Sequence, residues 1–338
     1  MSSALVDGYD AALFDLDGVV YLGPVAVDGA PDGIRELRER GTRVGFVTNN
    51  AARPPAAVAE HLTELGIVAT AEDVVTSSQA GAQLLADRLA PGAKVLVVGG
   101  PGVWEALDEV GLVGVRSADD QPAAVLQGFG FDLTWDQLNE AAIAIHRGAY
   151  WVATNIDPTR PTDRGIVPGN GAAVDAVRQA VPVEPEVAGK PFRPLVDATV
   201  ARLGAAHPIF VGDRLDTDIA GAVAAGLDSM LVLTGAHGAA DLVAATPDSR
   251  PTHLGYDLRD LLRPARTCSE RPGEVSCGDQ TAVVDSGRVL LVDSPLDRTS
   301  AVDALWAAAS LAWRSADLGR VVDPAPAVQV VNAVLARR

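Results

Sequence analysis

At 338 residues, 48% of them hydrophobic, the chain is too long for one typical domain and rich enough in apolar side chains for two or three. A formal net charge of −17 speaks against nucleic acid as a partner, because phosphate backbones need clustered Lys and Arg, and it makes an anionic small substrate awkward unless positive charge is gathered locally. No leader-like basic and apolar pattern stands at the start and no apolar run is long enough to span a bilayer, so a cytoplasmic protein without membrane insertion is expected.

Ala11-Ala12-Leu13 reads as a short buried strand and runs into Phe14-Asp15-Leu16-Asp17-Gly18. Two Asp two residues apart on an extended chain point to one face, about 7 Å apart along it. Burying both would cost several kcal/mol unless something compensates them, and a bound cation is the natural candidate. An ordinary Asp-rich turn is the alternative at this point. A calcium loop of the EF-hand kind is excluded: counted from Asp15, its fifth, sixth and twelfth places hold Val19, Val20 and Ala26.

Pro31 is placed to open a helix over Asp32 to Arg40, stopped by Gly41. Arg43 to Val47 is a second short strand ending in Thr48-Asn49-Asn50, and Pro54-Pro55 opens a helix to Leu65. Alternating strands and helices argue a parallel sheet whose strand ends collect ligand-binding groups, and Asp15, Asp17 and Thr48 fall there. One long helix is expected from Glu72 to Leu89. After the strand Lys94 to Val98, Gly99-Gly100-Pro101-Gly102 lacks the third glycine of a dinucleotide fingerprint and reads as a tight strand-to-helix turn. Strands follow at Ala123 to Gly128 and Tyr150 to Thr154, with a helix from Trp135 to Arg147 between them. The polar loop Asn155 to Asn170 is too long to be a mere connector, and a helix from Ala172 to Ala180 ends this part.

Lysine occurs only at Lys94 and Lys190. Lys190 precedes Pro191, where a helix to Leu203 is expected to begin, and helix N-termini already favour anions. Pro208 to Val211 is another apolar strand, followed by the acidic run Gly212-Asp213-Arg214-Leu215-Asp216-Thr217-Asp218. A helix from Ile219 to Ala225, a strand Met230 to Leu233 and a closing segment Pro251 to Leu262 complete the unit. Arg266 to Gln280 reads as a polar linker, with Cys268 and Cys277 as free thiols in a loop and one late disulfide as the alternative. Asp285-Ser286-Gly287-Arg288 signals a hairpin, and two helices follow, Ala301 to Ala316 and Ala325 to Leu335. Trp306 and Trp313 share a helix face suited to core packing or a subunit interface.

A carboxylate pair plus a distant acidic cluster suits Mg²⁺, which takes oxygen ligands and keeps waters. Thr48, Lys190 and the metal would neutralise a phosphoryl group; one carboxylate then attacks phosphorus and the other protonates the leaving alkoxide.

Asp15-Leu16-Asp17-Gly18, Thr48-Asn49-Asn50, Gly189-Lys190-Pro191 and the Gly212 to Asp218 run resemble the four motifs of the haloacid dehalogenase-like phosphatases. Ala153-Thr154-Asn155 and Pro168-Gly169-Asn170-Gly171 are similar to signatures of the C2-type α/β cap found in the NagD and phosphoglycolate phosphatase group. The resemblance covers roughly residues 9 to 262. It implies an α/β architecture: a doubly wound parallel-sheet core over residues 1–80 and 185–264, a cap over 81–184, and a small C-terminal α/β extension over 265–338 for packing or oligomerisation. It also implies Asp15 as nucleophile, Asp17 as general acid and base, and Mg²⁺ on Asp15, the Asp17 carbonyl and Asp213, with Asp218 as an outer partner. Phosphate would lie on Thr48, Asn49 and Lys190; in the cap loop Asn155 is expected to bind substrate and Arg160 or Asp157 to read its alcohol end, both being solvated loop residues as the alternative. The extra C-terminal domain resembles that of actinobacterial enzymes acting on glycerol 3-phosphate. A small phosphomonoester of another kind (a nucleoside monophosphate, pyridoxal phosphate or 2-phosphoglycolate) is the alternative substrate, and a non-catalytic phospholigand-binding protein the alternative role. A homo-oligomer is expected.

Overall fold

The computed structural model describes residues 3–162 and 164–336. The chain divides into two compact units, Met1–Arg43 with His207–Arg338, and Val44–Ala206. Among the described residues no helix is long and apolar enough to cross a membrane.

In the first unit the strands His253–Gly255, Asp228–Val232, Pro208–Gly212 and Ala11–Asp15 lie side by side in that order, all parallel. Leu13 faces Phe210 and Phe14 faces Val211, so the two acidic turns leave the same end of neighbouring strands. The strands are buried on both faces, as the continuous apolar runs required. The expected helix after Gly29 spans Ala30–Glu39. At the opposite end of the sheet from the acidic turns, the Tyr9 hydroxyl donates to Asp228 at 2.8 Å and lies 3.0 Å from Nε2 of His253.

The residues read as a linker are strands. Cys268–Arg271, Glu274–Cys277, Gln280–Asp285 and Arg288–Leu291 form an antiparallel meander, so neither cysteine is in a loop. Pro272-Gly273 and Gly278-Asp279 supply the tight turns, and the polar side chains belong to an edge with one wet face. The expected hairpin at Asp285 to Arg288 is present. The helices Arg298–Asp317 and Ala325–Leu335 cover the inner face, and Val275, Ala282, Leu305 and Val331 share one apolar core with Leu231, Leu242 and Leu254. Each such Val or Leu side chain contributes about 1.5–3 kcal/mol. Trp306 and Trp313 meet edge to face at 5.5 Å, and the Trp313 ring nitrogen donates to the Leu242 carbonyl at 3.0 Å. Their use is core packing.

In the second unit Phe46 to Thr48 pair in parallel with Val74–Thr76. The long helix expected from Glu72 is therefore broken: a 3₁₀ turn at Ala71–Asp73, this strand, then a helix only over Ser77–Ala86. Thr76 caps that helix, its hydroxyl accepting from the Gln79 N–H while the Gln79 side chain accepts from the Thr76 N–H. A second parallel sheet has the order Glu186–Val187, Tyr150–Ala153, Ala124–Gln127, Lys94–Val98, Val113–Val115. Helices Pro101–Glu109, Trp135–His146 and Asn170–Arg178 flank it, so the glycine-rich turn at Gly99 does lead into a helix. The loop after Ala153 carries its own hairpin, Thr159–Thr162 against Gly165–Pro168. The helix expected at Pro191 begins later, at Arg193, and ends at Leu203.

Candidate active site

In the first unit Asp15 closes its strand and is buried, whereas Asp17, two residues on, is exposed. Gly18 then turns with φ +89°, and its N–H donates to the Tyr21 carbonyl at 2.8 Å. A side chain could not stand at Gly18: an added Cβ would lie 2.4 Å from Oδ2 of Asp213. Asp213 follows the Pro208–Gly212 strand and is itself buried. Its Oδ2 accepts from the Ala236 N–H at 2.6 Å, and its carbonyl accepts from the His237 N–H at 3.2 Å. Thr234 reaches back from the end of the next strand and donates to the Gly18 carbonyl at 2.6 Å. Asp218 is wholly buried in a π turn over Leu215–Ile219, accepting at Oδ2 from the Asp213 and Arg214 N–H groups, both at 3.1 Å.

These bonds gather three carboxylates: oxygens of Asp15, Asp213 and Asp218 all lie within 4.8 Å of one another. All three side chains are buried, so their mutual repulsion is unrelieved by water and a cation is the economical counter-charge. The donors are all oxygen, which fits a hard divalent ion. The Asp17 side chain is not in the set, and Asp218, expected as an outer partner, joins it while also accepting from the Asp213 N–H.

In the second unit the residues expected to meet phosphate and substrate converge around Asn49. Asn49 Oδ1 accepts from the Lys190 N–H at 2.8 Å and its Nδ2 donates to the Lys190 carbonyl at 3.1 Å, a reciprocal pair that fixes the backbone of the lysine. The Lys190 side chain is 2% exposed. The same Nδ2 lies 3.2 Å from an Asp157 carboxylate oxygen. Asn155 donates to the Asn49 carbonyl at 2.7 Å and accepts from the Asp157 N–H at 3.2 Å. Thr48 Oγ1 accepts from the Asn50 N–H at 3.1 Å, and Ser77 donates to the Asn49 carbonyl at 2.7 Å. Lys94, the other lysine, spends its ammonium on the Asp120 carbonyl at 3.1 Å.

Arg160 stands in different company. Its guanidinium stacks on Phe129 and Phe131, 4.7 and 5.4 Å from the ring centres. Sequence reasoning missed these rings, and it missed the Thr234-Gly235-Ala236-His237 loop and Ser77. The loop carried a usable signal, since it follows a parallel strand next to the acidic ones; Ser77 carried none.

The chain is similar to known proteins over most of its length. Residues 12–113 match the family model described as haloacid dehalogenase-like hydrolase, and residues 187–261 match one described as HAD-hydrolase-like. D-glycerol 3-phosphate phosphatase of Mycobacterium tuberculosis is 45% identical over 93% of this chain and 89% of its own length. Acid sugar phosphatase of Staphylococcus aureus is 35% identical over 75% of this chain and 97% of its own. A crystal structure of the M. tuberculosis glycerol phosphate phosphatase in complex with magnesium superposes with a TM-score of 0.83, covering 93% of each chain at 45% identity.

Proposed function

The chain belongs to the haloacid dehalogenase-like hydrolases, and from that premise we propose a magnesium-dependent phosphomonoester hydrolase that works through an aspartyl-phosphate, with glycerol 3-phosphate as substrate. The buried trio of Asp15, Asp213 and Asp218 carries the reading. The relative named for glycerol 3-phosphate, alike over the C-terminal extension as well, supports the choice of substrate.

Asp15, Asp213 and the Asp17 carbonyl would hold the ion, with Asp218 fixing the backbone of Asp213. Magnesium supplies positive charge that admits a phosphate to an acidic protein and offsets charge on its oxygens. An Asp15 carboxylate oxygen attacks phosphorus in line as the bond to the ester oxygen breaks. The Asp17 carboxyl gives its proton to the departing alkoxide. As a carboxylate it then takes a proton from water, whose oxygen attacks the same phosphorus, so that orthophosphate leaves and Asp15 is restored. Thr48, Asn49 and Lys190 are assigned to the phosphate oxygens, Asn155 to the substrate-binding loop whose backbone it holds, and Asp157 or Arg160 to the alcohol end. Of the last group, Asp157 suits the hydroxyls of a small polyol, because a carboxylate accepts from two neighbouring O–H donors.

Steady-state kinetics on glycerol 3-phosphate, a nucleoside monophosphate, pyridoxal phosphate and 2-phosphoglycolate, each with magnesium and with EDTA, tests this. The highest kcat/KM should fall on glycerol 3-phosphate and vanish with EDTA; a better ester would reassign the substrate, and EDTA resistance would remove the metal. Asp15→Asn should lower kcat at least about a thousandfold with the circular dichroism spectrum unchanged. We further propose a cytoplasmic homo-oligomer. A one-chain mass by light scattering would overturn the oligomer.

A further inference from the structure

We propose that Cys268 and Cys277 form a dithiol site that low-molecular-weight disulfides oxidise, reversibly, to a bond across two strands of the extension. The proposal stands apart from the hydrolytic chemistry. Cys268 and Cys277 are direct partners in the antiparallel register of their strands. The kind of pair follows from the hydrogen-bond alternation. The Val284 N–H donates to the Gly273 carbonyl at 2.9 Å, so Gly273, Val275 and Cys277 turn their backbone groups toward the Gln280–Asp285 strand. Cys277 therefore turns none toward Cys268, and the two are a non-hydrogen-bonded pair. Such pairs bring Cα atoms to about 4.5 Å with side chains on one face, inside the roughly 4.4–6.8 Å that a disulfide spans. The Ser276 and Thr281 hydroxyls, on the facing strand pair, touch at 2.8 Å in the same relation.

The two thiols differ in a way that gives the reaction an order. Cys277 is fully buried beneath the long helix, while Cys268 is half-buried. Cys277 donates to the Cys268 sulfur, which with a bond to Ser310 draws the Cys268 thiol below its ordinary range; the same contact and burial push Cys277 upward. Asp303 and Glu270 oppose the Cys268 thiolate, and Arg266, bound to Asp303 at 2.8 Å, draws the Cys277 thiol down against the larger upward push of its burial. Cys268 is then the attacking thiolate and Cys277 the resolving thiol. Cys268 displaces one thiolate from the small disulfide and is left as a mixed disulfide. Cys277 yields its proton to that released thiolate and attacks the Cys268 sulfur, expelling the second. Two protein thiols become one disulfide, and one small disulfide becomes two thiols.

The full chain is incubated with oxidised glutathione, and its intact mass and thiol content are read under denaturing conditions. The expected product is a single chain lighter by two hydrogen masses, with no free thiol, restored by dithiothreitol. Cleavage after Glu270 and Glu274 should leave the peptides carrying the two cysteines linked until reduction. The oxidised protein should melt a few degrees higher, since closing a short loop restricts the unfolded chain. Cys277→Ser should stop at one glutathione on Cys268, and Cys268→Ser should stay unmodified. A stable glutathione adduct on the wild type, a disulfide-linked dimer, or two unreacted thiols would each overturn the proposal. Modification of Cys268→Ser at the wild-type rate would overturn the order of attack.

Discussion

A single missing methyl group decides whether Asp213 can sit where it does. An added Cβ at Gly235 would fall 2.0 Å from its Oδ2, closer than any real contact, and the N–H of the following Ala236 is the donor that orients that oxygen. Gly235→Ala should therefore displace the carboxylate, raise the magnesium concentration needed for half-maximal activity, and lower kcat/KM about a hundredfold. Thermal stability should barely move, and an unchanged metal requirement would show that Asp213 is not a ligand. A different residue sets a pH response away from the acidic centre. Burial holds His253 below the ordinary histidine pKa, although Asp228 nearby works the other way. As pH falls through about 6.5 the unfolded chain takes up the proton first. The stability that the neutral ring contributes is complete above that pH and is lost below it. The wild-type minus His253→Gln difference in Tm should shrink between about pH 7.5 and 5.5; a constant difference would acquit His253.

Elements differ in how openly the sequence declares them. Ala11 to Asp15 and Pro208 to Gly212 were legible because a strand buried on both faces must be apolar until its end, where the acidic residues stand out. The pairing of Lys190 with Asn49 was legible only as chemistry, through the resemblance, since nothing local brings residues 141 apart together. Val74 to Thr76 was hidden because three residues cannot show a period of two, and helical residues follow directly. The Cys268 and Cys277 strands were hidden because only one face of that sheet is apolar, so short runs such as Cys-Ser-Glu-Arg look like linker. The Thr76 cap is what ends the short strand and starts the helix. Thr76→Ala should cost about 1 kcal/mol, read as a lower urea midpoint at unchanged slope. A change in slope instead would mean that the cap shapes the unfolded chain.

Charge acts over the whole molecule. A protein of formal charge −17 repels a phosphate ester well before contact, over a Debye length of about 30 Å at 0.01 M salt but only about 8 Å at 0.15 M. Adding sodium chloride across that range should raise kcat/KM severalfold while kcat stays nearly constant. A fall would mean that a local cationic field around Lys190 governs capture. The pairing of Ala11–Asp15 with Pro208–Gly212 has a consequence for how such a chain is made. During translation the Asp15-bearing segment leaves the ribosome early, and this neighbour is synthesised only after nearly two hundred more residues, roughly ten seconds or longer at about 5–20 residues per second. Until then an apolar ribbon with an unsatisfied edge stands exposed, and shielding that edge through the interval is the demand this strand order places on the nascent chain.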